Sequence, residues 1–283
     1  MRLPRRGRGG AEEMRFRFSS GACFSAAALA AGAVLLALVM FLPPYVTGPD
    51  TLSPPGREHW LGTNDIGQDV LTGLLRAAPT TVGLALIIAA SALLIGFLLA
   101  AIAAGLRGLA GGLVLRIADI MEIIPSILIL LLFAAWVKPD AWGLVLLIAL
   151  TTWHDDVRPL RAILLRELSR ENVALARLMG ASWPYLLVRH VAPALWPTLA
   201  AIYVQNAVQA VMRVAGLSFL GLVDPRLLTW GGMIQDAVDY LHEPAWVWLL
   251  LPPAFCLSAF LFVLLGIGRR LEESAAGVRG QTL

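Results

Sequence analysis

Charge is the scarcest ingredient of this sequence: Asp, Glu, Lys and Arg together make up 14% of its 283 residues. Soluble domains carry about a quarter, so the composition excludes a freely soluble globule before any motif is considered. Lysine is nearly missing; Lys138 is the single one beside 21 arginines. A phosphate-cradling P-loop needs a lysine directly after a glycine, and Lys138 stands between Val137 and Pro139. Nucleotide hydrolysis by that route is therefore excluded. Cysteine is as sparse. Cys23 and Cys256 both fall inside apolar runs, which excludes a disulfide framework or a thiolate metal site and suits two inert buried thiols. The four histidines (His59, His154, His190, His242) are scattered, and no H-E-x-x-H pattern occurs. Neither a catalytic cluster nor a metal set is expected, and His154, Asp155 and Asp156 are read as part of a solvated loop.

Hydrophobic residues fill this space, at 58% of the chain. A bilayer core takes about 20 apolar residues per helix, and the runs at 23–42, 80–106, 113–137, 193–222 and 246–268 meet that length. A shorter run at 142–153 makes a sixth. Pro252 and Pro253 are expected to kink the last span. The expected fold is an all-α integral membrane protein of about six transmembrane helices. Its first run follows a basic tail, 1–22, without a small-residue cleavage site, and is read as an uncleaved span. The remaining organisation is an extracytoplasmic loop over 43–79, a core over 80–270 containing a long loop at 154–192, and a tail at 271–283.

With both termini inside, 17 basic residues fall on the inner segments and four (Arg57, Arg76, Lys138, Arg226) on the outer ones. That split fits the positive-inside rule, and both termini are expected on the cytoplasmic side of the membrane.

The long inner loop carries a compact device. Glu171 to Met179 is good helix sequence, Gly180 supplies a turn, and Ser182 followed by Pro184 can start a second short helix. The hairpin either packs on its own spans or docks a cytosolic partner through the apolar knobs Leu175, Leu178 and Met179 beside Arg177. Within the spans, Asp119 and Glu122 lie one helical turn apart and Arg213 lies in the fifth run. Intramembrane charges mark function by default. These three form either an ion pair, Arg213 to the acids, or a lining of a translocation path, to which Ser218 is added.

At this point the segments resemble a family. Ala174-Leu175-Ala176, then Gly180 and Pro193, is similar in spacing to the E-A-A, Gly and Pro pattern of ABC importer permeases. Ala174 stands where that pattern has Glu, and His190 and Ala192 where it has Ile and Leu. The run from His59 through Gly62, Thr63 and Asp65 to Asp69 resembles a signature of dipeptide, oligopeptide and nickel importer permeases. So do Ala118 with Asp119, Pro125 with Ser126, Trp153 with Arg158 and Arg161, the run 215–222, and Trp230 with Gly231.

The resemblance implies a type I importer permease fold with a cytoplasmic coupling hairpin formed by Glu171, Ala174 to Ala181 and Pro193. It implies partners too: a second related permease, two ABC ATPase subunits that bind ATP and magnesium, an extracytoplasmic solute-binding protein, and the lipid bilayer, with no nucleic acid. No cofactor is implied for this chain itself. The runs 214–221 and 233–240 look closest to nickel-type members, which tilts the expected cargo slightly toward nickel or metal chelates over peptides. The alternative class is a stand-alone secondary carrier or channel.

Overall fold

The structure, a computed structural model, describes residues 45–105 and 109–280. The basic tail and first span expected over 1–42 lie outside the described residues.

Helix α1, Val70–Gly105, starts ten residues ahead of the predicted run and carries Pro79 inside it. Its start is set by Asp69, whose Oδ1 accepts the Thr72 N–H at 2.7 Å and satisfies one of the free donors of the first turn. The expected loop over 43–79 therefore ends at Asp69. Small residues recur along one face of α1: Ala85, Ala89, Ala92, Gly96, Ala100 and Ala103 are all buried. Such a stripe lets backbones approach closely where lipid supplies no hydrophobic drive.

The predicted third span is two helices. α2, Leu109–Ile123, and α3, Ser126–Val137, meet at a bend of 76°. Pro125 explains the break, because its ring disfavours helical geometry at Ile124 and it donates no N–H. α4, Ala141–Leu168, is capped by the Asp140 side chain, which accepts the Gly143 N–H at 2.8 Å. α4 does not stop at Trp153. It runs a further four turns, so the segment 154–192 opens as helix and becomes irregular only at Ser169.

α5, Glu171–Leu178, and α6, Trp183–Leu186, form the hairpin. A π-helical turn, Leu187–Val191, joins α6 to α7, Ala192–Phe219. The wide turn sits just ahead of Pro193, whose ring would crowd the carbonyl four residues back in a regular helix. α7 ends at a glycine: Gly221 has φ +66°, with Gly221 N–H to Ser218 O and Leu222 N–H to Leu217 O both at 3.0 Å. α8, Trp230–Val238, and α9, Trp246–Gly280, complete the described chain. α9 continues through Pro252 and Pro253 and takes the predicted tail 271–280 into the helix.

Among the described residues three helices are long and apolar enough to cross a membrane, or four if the bent pair α2–α3 is one span. The predicted fourth span is the first half of α4. Its apolar part, 141–153, gives ~20 Å of helix before His154, Asp155 and Asp156.

Two buried clusters hold the bundle together. One joins Leu84 and Ile88 of α1 to Leu130, Leu144, Ile148, Val211 and Leu217. The other joins Ala100 of α1 and Ala118 of α2 to Leu160, Leu164, Val173, Leu186 and Leu195. This second cluster seats the hairpin on the bundle.

Candidate functional site

The hairpin is a short helix stopped by a closed glycine turn. Gly180 has φ +89°, its N–H reaches Arg177 O at 3.0 Å, and the Ala181 N–H reaches back to Ala176 O at 3.1 Å. These are the two bonds of a Schellman motif, with Ala176 supplying the far acceptor and Gly180 the left-handed residue. The spacing between Ala176 and Gly180 thus has a local physical meaning. It closes the end of α5 and turns the chain toward α6.

Each side of α5 has a separate role. Val173 is 3% exposed and Ala176 packs in the second cluster with Ala181, Trp183 and Leu186. On the other side Leu175, Leu178 and Met179 stand 60%, 85% and 80% exposed, with Glu171 and Ala174 also exposed, while Arg177, one turn on from Val173, is exposed at the edge of the seated side. A soluble surface rarely gathers such apolar knobs without a partner. Packing on the chain's own spans, the first sequence reading, thus describes the Val173 side, and the apolar knobs stand on the side left uncovered. Trp183 extends the seat further: a β-carbon at Gly105 would fall inside its ring, so the hairpin rests directly on the end of α1.

The membrane charges are paired differently from the expected arrangement. Arg158 donates to Glu122 Oε2 at 2.6 Å and to Asp119 Oδ1, bridging α4 to α2. Arg213 faces Asp155 Oδ2 at 3.6 Å, bridging α7 to α4. The expected pairing of Arg213 with Asp119 and Glu122 is corrected, because α4 carries its own charges between the two helices. The solvated-loop reading of residues 154–156 is corrected as well. His154 and Asp156 are buried inside α4, and Asp156 accepts the Asn206 side-chain N–H at 2.5 Å. Asp155, Arg158, Asp119 and Glu122 remain between about a third and two thirds exposed, although they belong to segments at or beside the spans. Ser218 is 5% exposed, and its Oγ is buried without a hydrogen-bond partner. It packs against Gly231 of α8. Among the described residues no group of three or more His, Cys, Asp or Glu side chains could hold a metal ion.

At the far end of α1, the 45–69 loop is wound on itself. His59 Nδ1 lies 3.0 Å from Asp69 Oδ2, so Asp69 caps α1 and holds the loop at once. Thr63 is fully buried, donating to Asp50 O at 2.5 Å and accepting the Ser53 N–H at 2.9 Å. The Asn64 Oδ1 accepts the N–H groups of Ile66 and Gln68. Gly62, at φ +75°, lies against the Trp248 ring, and Trp248 Nε1–H reaches Thr63 O at 3.2 Å. The loop is thereby fixed to α9. Partial desolvation, with Asp65 and Asp239 nearby, holds the carboxyl of the surface residue Asp236 above its ordinary value.

Residues 92–276 match the family described as binding-protein-dependent transport system inner membrane component. A protein of Brucella suis biovar 1 (strain 1330), provisionally named a peptide permease, is 33% identical over 221 residues, covering 77% of this chain and 73% of the relative. A similarly named protein of Brucella ovis is 32% identical over the same shares. The chain belongs to this family. It is an inner-membrane permease subunit of an ABC importer. The fold agrees: a solved structure of the MetNI methionine ABC transporter, in an inward-facing conformation, superposes with a TM-score of 0.57 at 15% identity. That match covers 71% of this chain and 95% of that one. The permease subunit therefore has the type I importer fold.

Sequence reasoning missed the partners in this permease more than its residues. Arg158 stood out as a matching position, yet its two carboxylate partners lie 36 and 39 residues away with no local signal. Gly96 went unmarked. The period of small residues along α1 was the signal that could have found it.

Proposed function

We propose that this subunit forms half of a translocation pore and that the hairpin around Gly180 couples it to a separate ATPase. The observation that carries the reading is the two-sided hairpin: Val173 and Ala176 seat it on α4, while Leu175, Leu178 and Met179 are presented outward. Helix-in-groove docking uses such an apolar face. ATP binding would draw the two ATPases together and carry the hairpin with them. α4 and α7 flank the hairpin and Trp183 touches the end of α1, so its displacement would tilt three helices as a body and exchange inward for outward access. A second permease, two ATPases holding ATP and magnesium, and a solute-binding protein complete the assembly. The arginine distribution supports an orientation with the hairpin and both termini in the cytoplasm.

For the cargo, the naming of the Brucella relatives favours di- or oligopeptides. Nickel or a metal chelate is the second reading, favoured by the similarity of 214–221 and 233–240 to nickel-type members. The paired but partly exposed charges of Asp119, Glu122, Arg158, Asp155 and Arg213 suit the wall of a water-filled path better than a lipid face.

The test is Leu178→Glu in the reconstituted importer with its ATPases and binding protein. Substrate-stimulated ATP hydrolysis and uptake should both fall at least about tenfold, the effect of losing ~1.4 kcal/mol of docking energy. Wild-type stimulation and uptake would overturn the coupling role.

A further inference from the structure

Behind the hairpin lies a cavity of about 760 Å³ that the transport reading does not use. Its walls are the last residues of α1, the first turns of α2, the end of α4, and the hairpin itself. Among the described residues two guanidinium groups line it, Arg161 of α4 and Arg177 of α5, and no Asp or Glu does. Arg161 gives its Nε–H to the Ala103 carbonyl at 3.1 Å, one of the last acceptors of α1. That bond fixes the base of the side chain and leaves the two terminal nitrogens of the fork for another acceptor. Leu115, Leu165 and Leu168 make the remaining wall apolar, and Leu165 is 39% exposed. Trp183, an aromatic residue with a polar edge, closes one side. A β-carbon at Gly112 would meet nothing within 4 Å, so the α2 side of the cavity is open space.

We propose that this cavity binds the phosphate headgroup of an anionic phospholipid. Two arginines without a carboxylate form a site for a doubly contacted phosphate, and the cavity lies where the bundle leaves the apolar part of the chain. Basic pockets between helices at the cytoplasmic surface take anionic headgroups in this way. The apolar wall at Leu115 and Leu165 gives the upper acyl chain a surface, which a soluble anion would not need. A headgroup held by both arginines would tie α4, already bonded to the end of α1, to the coupling hairpin. The lipid would then act on coupling, because Arg161 and Arg177 share one phosphate only while the hairpin keeps its place. The proposal rests on the reading that the hairpin lies at the cytosolic surface.

The experiment uses the complete importer, purified and then reconstituted in phosphatidylcholine vesicles with or without phosphatidylglycerol. Native mass spectrometry should show phosphatidylglycerol retained by the wild-type complex, and substrate-stimulated ATP hydrolysis should rise several-fold in the mixed vesicles. Gly112→Leu fills the cavity without removing either guanidinium; Arg161→Gln removes one. Both should lose the retained lipid and the stimulation, while Gly112→Leu keeps the hydrolysis rate of wild type in phosphatidylcholine alone. Arg177→Gln, on the exposed hairpin, provides the same measurement should a bundle variant fail to insert. Lipid retention unchanged in the variants overturns the proposal. So does displacement of the lipid effect by inorganic phosphate, which would assign the cavity to a free anion. A complex that retains the lipid but shows no substrate-stimulated hydrolysis in any vesicle sinks the coupling reading and leaves the lipid site standing.

Discussion

Gly96 of α1 and Asp156 of α4 meet so closely that a β-carbon on Gly96 would stand 2.9 Å from the Asp156 β-carbon and 3.3 Å from the Trp153 carbonyl oxygen. The two helices can cross here only because Gly96 has no side chain. Asp156 uses the space to turn its carboxylate toward Asn206 of α7, so one glycine sets the geometry of three helices. Gly96→Val must push α1 off α4, at ~1–3 kcal/mol for overpacking. The expected outcome is a lower unfolding temperature of the purified subunit, with a smaller drop for Gly96→Ala. A wild-type transition for Gly96→Val would show that the helices can separate freely.

Arg158 answers two carboxylates at once. Arg158→Ala leaves Asp119 and Glu122 facing each other across one helical turn with no cation between them, and like charges at that spacing repel. It should destabilise the subunit clearly more than Arg226→Ala, whose side chain is 92% exposed beside Asp224. Adding Asp119→Asn and Glu122→Gln to Arg158→Ala should recover part of the loss, a coupling of ~0.5–3 kcal/mol. Strict additivity in thermal unfolding would mean that the bridge carries no energy.

These two sites show what was legible in the sequence. Apolar runs are local in composition and length, and they located α1, α7 and α9. The hairpin glycine was legible for the same reason, since its turn bonds span only the residues from Ala176 to Ala181. Pro125 could have split the third run, because a proline constrains the residue before it. Residues 154–156 were misread because a charged triplet after an apolar run looks like a loop. Burial by Asn206 and by the missing side chain of Gly96 keeps the triplet helical, and both lie far away in sequence. Ion-pair partners are settled by helix packing, which residue type alone does not encode.

The end of the molecule opposite the hairpin should respond to pH through Asp236. Partial desolvation and the nearby carboxylates of Asp65 and Asp239 raise its pKa in the folded chain, although the residue stands at the surface. The folded form therefore holds this proton more tightly than the unfolded one, and the stabilisation is complete in acid. It is lost as the pH rises from the ordinary carboxylate value, about 4, through the raised one. Asp236→Asn should unfold at the same temperature as wild type in acid and at a higher temperature at neutral pH. A gap that is equal at both pH values would rule out Asp236 as the titrating group.

The turn at the end of α5 makes the sharpest demand on one residue. At φ +89° Gly180 lies where L side chains are strained, yet a β-carbon there would meet nothing within 4 Å. Steric crowding from neighbours is absent, so the cost of a substitution comes from the backbone. Gly180→Ala should weaken the turn by ~1–2 kcal/mol, and Gly180→Asn by less, since asparagine visits this region more readily. Gly180→Pro is the severe case: proline fixes φ near −65° and lacks the N–H now given to Arg177 O. In the reconstituted importer, substrate-stimulated ATP hydrolysis should fall in the order asparagine, alanine, proline, while the ATPases' unstimulated rate holds. Because Leu178 and Met179 stay in the chain in all three, the ordering separates placement of the hairpin from its contact surface. Unchanged transport by Gly180→Pro would mean that force does not pass through this turn.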